Sequence, residues 1–233
     1  NILDRLAFAE YLCEENSPLV HVLKPELADS LQNELSDKIN TLTATYGFNI
    51  KDVFPLVDHI STEVAIDDFL KSHFVQPDLF IRIKRGKEKL VHSIFKDHDI
   101  PFTIISTQTL ALPNGTNLQK VANLEGMYEV QDLSSQKTID YINAAEKQSW
   151  WDACAASGGK ALMLLDKYPQ VNLLVSDIRM SILRNLDERF EKARIVTPYR
   201  KKILDLSLPV DDTMKDEKFD GIILDAPCSG SGT

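Results

Sequence analysis

The chain has 233 residues, 43% of them hydrophobic and 26% charged, which provides for a packed core and excludes wholesale disorder. No apolar run approaches the ~20 residues that cross a bilayer, and no basic region precedes an apolar stretch near Asn1, so neither a membrane span nor a signal peptide is predicted, and the start reads as that of a fragment. A formal net charge of −9 counts against a nucleic-acid partner, because phosphate binding leaves a basic footprint, but it does not exclude a local phosphate-binding surface.

Residues 1–75 read as a helical segment. Pro25 suits a first helical turn, and Leu27, Leu31, Leu35, Ile39 and Leu42 follow at three- and four-residue spacing, which predicts one amphipathic helix whose role is packing. The three cysteines, Cys13, Cys154 and Cys228, are odd in number, far apart and in no CxxC pair. The five histidines (His21, His59, His73, His92 and His98) show no ligand spacing. This pattern predicts no disulfide framework, no metal site and a reducing, cytoplasmic setting.

Residues 76–125 read as a small α/β domain. In LFIRIKR the apolar Leu79, Ile81 and Ile83 alternate with Phe80, Arg82 and Lys84, the pattern of a half-buried strand with the two cations on its solvent face. A helical stretch (KEKLVHSIFKDHD), an apolar PFTIIS run and a Pro-Asn-Gly turn at 113–115 follow. Residues 82–89 hold Arg82, Lys84, Arg85, Lys87 and Lys89 against Glu88 alone; Arg82, Lys84 and Lys87 are the candidate phosphate contacts, the alternative being a solvated face. Arg194, Arg200, Lys201 and Lys202 form a second basic cluster. Tyr128 and Val130 suggest another short strand leading into the last region.

In residues 126–233, apolar runs at 150–156, 171–175 and 219–224 and a weaker Ile203-Leu204 pair alternate with helical stretches at 160–168 and 179–193. Alternating strands and helices predict a doubly wound parallel sheet, with its ligand beyond the carboxyl ends of the strands. Each run meets an aspartate: Asp152 within the first, then Asp177, Asp205 and Asp225 just after the others. A carboxylate-lined edge suits a ligand rich in hydrogen-bond donors, such as ribose hydroxyls and amino groups, and does not suit a pyrophosphate. The loop Cys154-Ala155-Ala156-Ser157-Gly158-Gly159-Lys160 would let backbone approach a ligand closely at a helix N-terminus. It is neither a GxGxxG nor a GxxxxGK[ST] motif, which counts against a dinucleotide and excludes a P-loop. In the final segment, FDGIILDAPCSGSGT, Pro227 stiffens a turn that presents Cys228 at a strand end.

DACAASGGK and ILDAPCSGSG resemble two signature motifs of the RsmB/NOL1/NOP2/Sun family of S-adenosylmethionine-dependent RNA cytosine-5 methyltransferases, and YEVQDLSSQ (128–136) resembles the segment leading into their catalytic core. The resemblance covers residues 76–233 well and 1–75 loosely. It implies a Rossmann-like methyltransferase sheet, incomplete at its C-terminal side, after a small RNA-contacting domain and the helical segment. It implies that residues 154–160 wrap the methionine and ribose of S-adenosylmethionine, that Asp177 takes the ribose hydroxyls and Asp205 the adenine amine, and that Asp225 lies at the methyl-transfer site. The implied substrate is RNA, ribosomal sooner than transfer RNA, and the product 5-methylcytosine. In this family a cysteine in a later Thr-Cys motif attacks carbon 6 of the base, and the Pro-Cys cysteine, Cys228 here, helps release the product. The 233 residues contain no such Thr-Cys motif after Cys228, so the fragment as given is expected to be inactive. The family usually has Pro at Ser157 and Thr at Ala161, departures that bear on cofactor affinity. Two other readings remain: a non-catalytic RNA- or cofactor-binding module, and an NAD- or nucleotide-binding enzyme on a similar sheet.

Overall fold

The structure is a computed structural model that describes residues 2–228. The chain divides into two compact units, Asn1–Pro77 and Asp78–Thr233.

The first unit is helical: α1 (Ile2–Cys13), α2 (Pro18–Leu23), α3 (Pro25–Ala28), α4 (Leu35–Tyr46) and α5 (Ile66–Ser72). Leu27, Leu31 and Leu42 are buried with Tyr11, Leu12 and Val20, and Leu35 and Ile39 pack at their margin. The apolar stripe thus serves packing, but it does not lie on one helix. The chain turns at Ser30, whose hydroxyl donates to the Leu27 carbonyl at 2.9 Å while its amide donates to the same oxygen at 3.1 Å. A serine that satisfies a carbonyl locally competes with helix propagation.

The second unit holds two sheets. The first is built from β1 (Leu79–Ile83), α6 (Glu88–Asp97), β2 (Thr103–Ile104), β3 (Thr109–Leu112) and β4 (Tyr128–Val130), with strand order β2-β3-β1-β4 and antiparallel neighbours throughout. Ile81, Ile83, Leu110 and Leu112 pack on Val91 and Phe95 of α6. Because β4 pairs with β1, Ile81 opposite Val130, this small sheet extends past residue 125 and is completed by the strand read as a lead-in to the next region.

After α7 (Leu133–Lys137) comes the second sheet: β5 (Ser149–Asp152), α8 (Gly159–Lys167), β6 (Asn172–Asp177), α9 (Met180–Lys192), β7 (Tyr199–Ile203), α10 (Asp211–Met214) and β8 (Gly221–Ile223). Its order is β7-β6-β5-β8, all parallel. β6 is buried from Leu173 to Asp177, as a central parallel strand covered on both faces must be. β7 is one of the two edge strands of the described sheet, and its YRKKI sequence explains why only Ile203-Leu204 stood out. Arg200 pairs with Glu217 at 2.8 Å, Lys201 with Asp187, and Lys202 with Glu217 at 3.1 Å. The second basic cluster therefore serves largely as a charged, paired edge.

The solvent-face assignment of Arg82 and Lys84 is corrected by this packing. Arg82 is 7% exposed; its Nη1 donates to Asp166 of α8 at 3.1 Å and its Nε to Gln131 at 3.1 Å. Lys84 Nζ donates to the carbonyl of Ala193, at the C-terminus of α9, at 2.6 Å. The face of β1 opposite its apolar core is covered by the helices of the second sheet, so its cations bind protein. Lys87, beyond the strand, is exposed.

Removing one partner of a buried ion pair strands the other charge. Asp166→Ala is expected to cost about 3–5 kcal/mol in denaturant unfolding, and adding Arg82→Met is expected to recover most of the loss. A single-mutant cost of less than about 1 kcal/mol, the value of an exposed pair, would contradict this account of how the two sheets are joined.

Candidate functional site

The parallel sheet delivers its aspartates to one edge. Asp152 and Asp177 end β5 and β6, and Asp205 and Asp225 each stand two residues past β7 and β8. The loop from β5 to α8 is fastened to the end of β6. The Ala155 amide donates to the Ser176 carbonyl at 2.8 Å, and the Ala156 amide to Asp177 Oδ2 at 3.1 Å. Ser176 Oγ donates to the Ala153 carbonyl at 2.8 Å and accepts from Trp151 Nε1 at 2.9 Å. Gly158, at φ +82°, starts α8, and a Cβ there would lie 2.7 Å from Phe190 and 2.9 Å from Leu186. Only glycine meets both demands, so Gly158 seats the loop on α9.

The loop stands between two clefts. The first is lined by Cys154, Ala156, Asp177, Asp205 and Asp225, with Trp151, Ile178, Leu206, Ile222 and Leu224 as apolar walls and Arg179 and Ser207 at polar positions. The second lies on the other side and is lined by Asp152, Ala155, Ser157, Gly159, Lys160 and Arg189, sharing Cys154, Ala156 and Asp225 with the first. Gly158 lines neither. Cys228 is exposed, next to Pro227, which lines the first cleft; the glycine-rich loop at 229–232 lies outside the described residues. Composition and spacing left the apolar walls unread. Their signal was an aliphatic residue directly after an edge aspartate, Ile178 after Asp177 and Leu206 after Asp205; Ile178 is 56% exposed, unusual for a large aliphatic side chain beside a packed sheet unless something covers it.

The four carboxyl groups sit in different fields. Burial pushes Asp177 up, but the Arg179 guanidinium (Nε at 3.1 Å) and the amides of Arg179 (3.0 Å) and Ala156 bring it below the usual carboxylate range. The Ser207 hydroxyl and amide, at 2.6 and 3.0 Å, hold Asp205 low. Asp225 pairs with Lys160. Asp152 is 1% exposed and neither oxygen has a hydrogen-bond partner. Burial drives it up to about 7, opposed by Lys160 and reinforced by Asp225 and Asp177. Cys154 is also raised, by burial first and then by Asp177, Asp152 and Asp225, so it is held as a neutral thiol. Among the described residues no group of three or more His, Cys, Asp or Glu is arranged to hold a metal ion, and no helix is long and apolar enough to cross a membrane.

The family described as 16S rRNA methyltransferase RsmB/F matches residues 139–233. Among curated proteins, ribosomal RNA small subunit methyltransferase B of Yersinia enterocolitica is 36% identical over 107 residues, 46% of this chain and 24% of that protein. Its namesake in Xylella fastidiosa is 37% identical over the same shares. The matched stretch thus spans about a quarter of the length of these relatives. Among solved structures, that of PH0851 superposes with a TM-score of 0.69 at 16% identity, covering 97% of this chain and 57% of that one. NSun6 from Pyrococcus horikoshii, solved with SFG, gives 0.58 at 15% identity, covering 77% and 69%. At such identities the superpositions speak to the fold, which is that of a Rossmann-like methyltransferase. Residues 139–233 thus match the RsmB/F methyltransferase family, and their motifs stand where this fold puts its ligand edge.

Proposed function

We propose that the chain is the cofactor-binding part of an enzyme that transfers a methyl group from S-adenosylmethionine to carbon 5 of cytosine in ribosomal RNA. The observation that carries this reading is the first cleft. It pairs aliphatic walls, Ile178 and Leu206, with carboxylates at Asp177 and Asp205 that stay ionised. Aliphatic walls suit the face of a purine, and the carboxylates suit ribose hydroxyls and an exocyclic amine. Two acids held low would repel a pyrophosphate, which prefers amides and cations.

S-adenosylmethionine supplies an electrophilic methyl group on a sulfonium. The residues of this chain hold and orient it. Residues 154–160 would present backbone to its amino-acid end, and the negative field of Asp225 and Asp177 would favour its cationic groups. Carbon 5 of cytosine is a poor nucleophile until a thiolate adds at carbon 6, a case of covalent catalysis. Cys154 is unsuited to that role, because its surroundings favour the thiol. The attacking cysteine belongs to the later Thr-Cys motif of the family, and Cys228 serves release. On the RNA side, phosphate contact falls to Lys87 with its exposed neighbours Arg85 and Lys89, Arg82 and Lys84 being engaged with α8 and α9.

Two outcomes test this reading. In an enzyme that includes the later cysteine, Cys228→Ala is expected to leave RNA covalently attached to protein, seen as a retarded band on a denaturing gel. Loss of both the adduct and methylation would make Cys228 the attacker. The second concerns pH. Asp152 keeps its proton in the folded chain up to about 7, whereas the unfolded residue loses it near 3.8. Between these values the folded state holds the extra proton, so this stabilisation is full below the lower pKa and is lost as pH rises through the upper one. Asp152→Asn is expected to flatten that decline, raising stability at pH values above about 7 by on the order of a few kcal/mol relative to mildly acidic solution. Parallel melting profiles for the two proteins across this range would contradict the assignment of a neutral buried carboxyl.

A further inference from the structure

Arg189, on the inward face of α9, reaches two other elements at once. Its Nε donates to Glu129 Oε2 at 2.7 Å and its Nη1 to Ser157 Oγ at 3.0 Å. Glu129 is the middle residue of β4, in the small sheet, and Ser157 lies at the crest of the loop between the two clefts. The side chains of Arg189 and Glu129 are 25% and 19% exposed, so the pair is largely shielded from solvent. A guanidinium is a planar fork that can serve two acceptors without rearranging. The other anchors of the loop stop short of the small sheet: Ala155 and Ala156 reach the end of β6, Gly158 packs on α9, and Lys160 pairs with Asp225 and donates to Ser135 Oγ at 3.4 Å. The Ser157 bond differs, because through Arg189 it continues to the small sheet.

We infer that Arg189 is a positioning residue that fixes the crest of the β5–α8 loop relative to β4, so that the position of the small sheet is transmitted to the wall of the cofactor cleft. The tie itself stands on the two hydrogen bonds; its consequence for a ligand rests on the S-adenosylmethionine reading above.

The test uses the ligand-free 233-residue chain and then adds S-adenosylmethionine. Amide hydrogen exchange of residues 154–160 is compared among the parent, Ser157→Ala, Glu129→Gln and Arg189→Lys, since a lysine cannot fork to both acceptors. Loop exchange is expected to quicken about tenfold in each variant while amides of β1 and α6 keep their rates, and Ser157→Thr, which retains the hydroxyl, is expected to restore the parent rate. S-adenosylmethionine affinity is expected to fall severalfold in the same variants. Parent-like loop exchange in both Ser157→Ala and Glu129→Gln would overturn the inference, whatever becomes of Arg189→Lys. Faster loop exchange in variants of a chain that fails to bind S-adenosylmethionine would uphold the tie and refute the cofactor reading instead.

Discussion

The bond between the Ala156 amide and the Asp177 carboxylate joins the ends of two parallel strands, and much of the site follows from it. It brings the β5 loop over the end of β6 and orients a carboxylate into the cleft. With the Arg179 contacts, it also keeps that carboxylate ionised despite its burial. A loop lying on a strand end needs a sharp exit toward its helix, which Gly158 provides at positive φ against Phe190 and Leu186. Cleft, charge and turn are therefore parts of one local arrangement. It also separates the apolar cleft from the one where Lys160 pairs with Asp225.

The second constraint is the joining of the two sheets. Arg82 and Lys84 leave the polar face of β1 to meet Asp166 and the end of α9, and Arg189 returns from α9 to Glu129. Each contact uses a cation to satisfy an acceptor between packed elements, where an unpaired group would be costly. The small sheet is thereby fastened to the parallel sheet through the first two of that sheet's helices, α8 and α9, the same helices that frame the loop.

The parallel sheet was legible because β5, β6 and β8 are apolar, its helices amphipathic and its edge acidic at every strand end. Where legibility failed, the cause was the surroundings of a residue and not its type. Alternation told which side of β1 carries Arg82 but not that α8 covers that side. The stripe from Leu27 to Leu42 gave the buried set, yet a local Ser30 bond broke the helix. β7 hid behind Arg200, Lys201 and Lys202 because an edge strand can be charged. Asp152 looked like its three companions until its depth set it apart as a neutral acid. The Glu129–Arg189–Ser157 bridge spans sequence separations of 60 and 32 residues, which no short-range pattern encodes.

The central claim, that the first cleft holds S-adenosylmethionine by its ribose and adenine, is tested most directly by calorimetry of this chain with S-adenosylmethionine and with NAD. The account predicts that S-adenosylmethionine binds and NAD does not, and that Asp177→Ala and Asp205→Ala each weaken binding by roughly 1.5–3 kcal/mol, the value of a hydrogen bond to a charged group. Unchanged S-adenosylmethionine affinity in both variants, or NAD binding in its place, would contradict it.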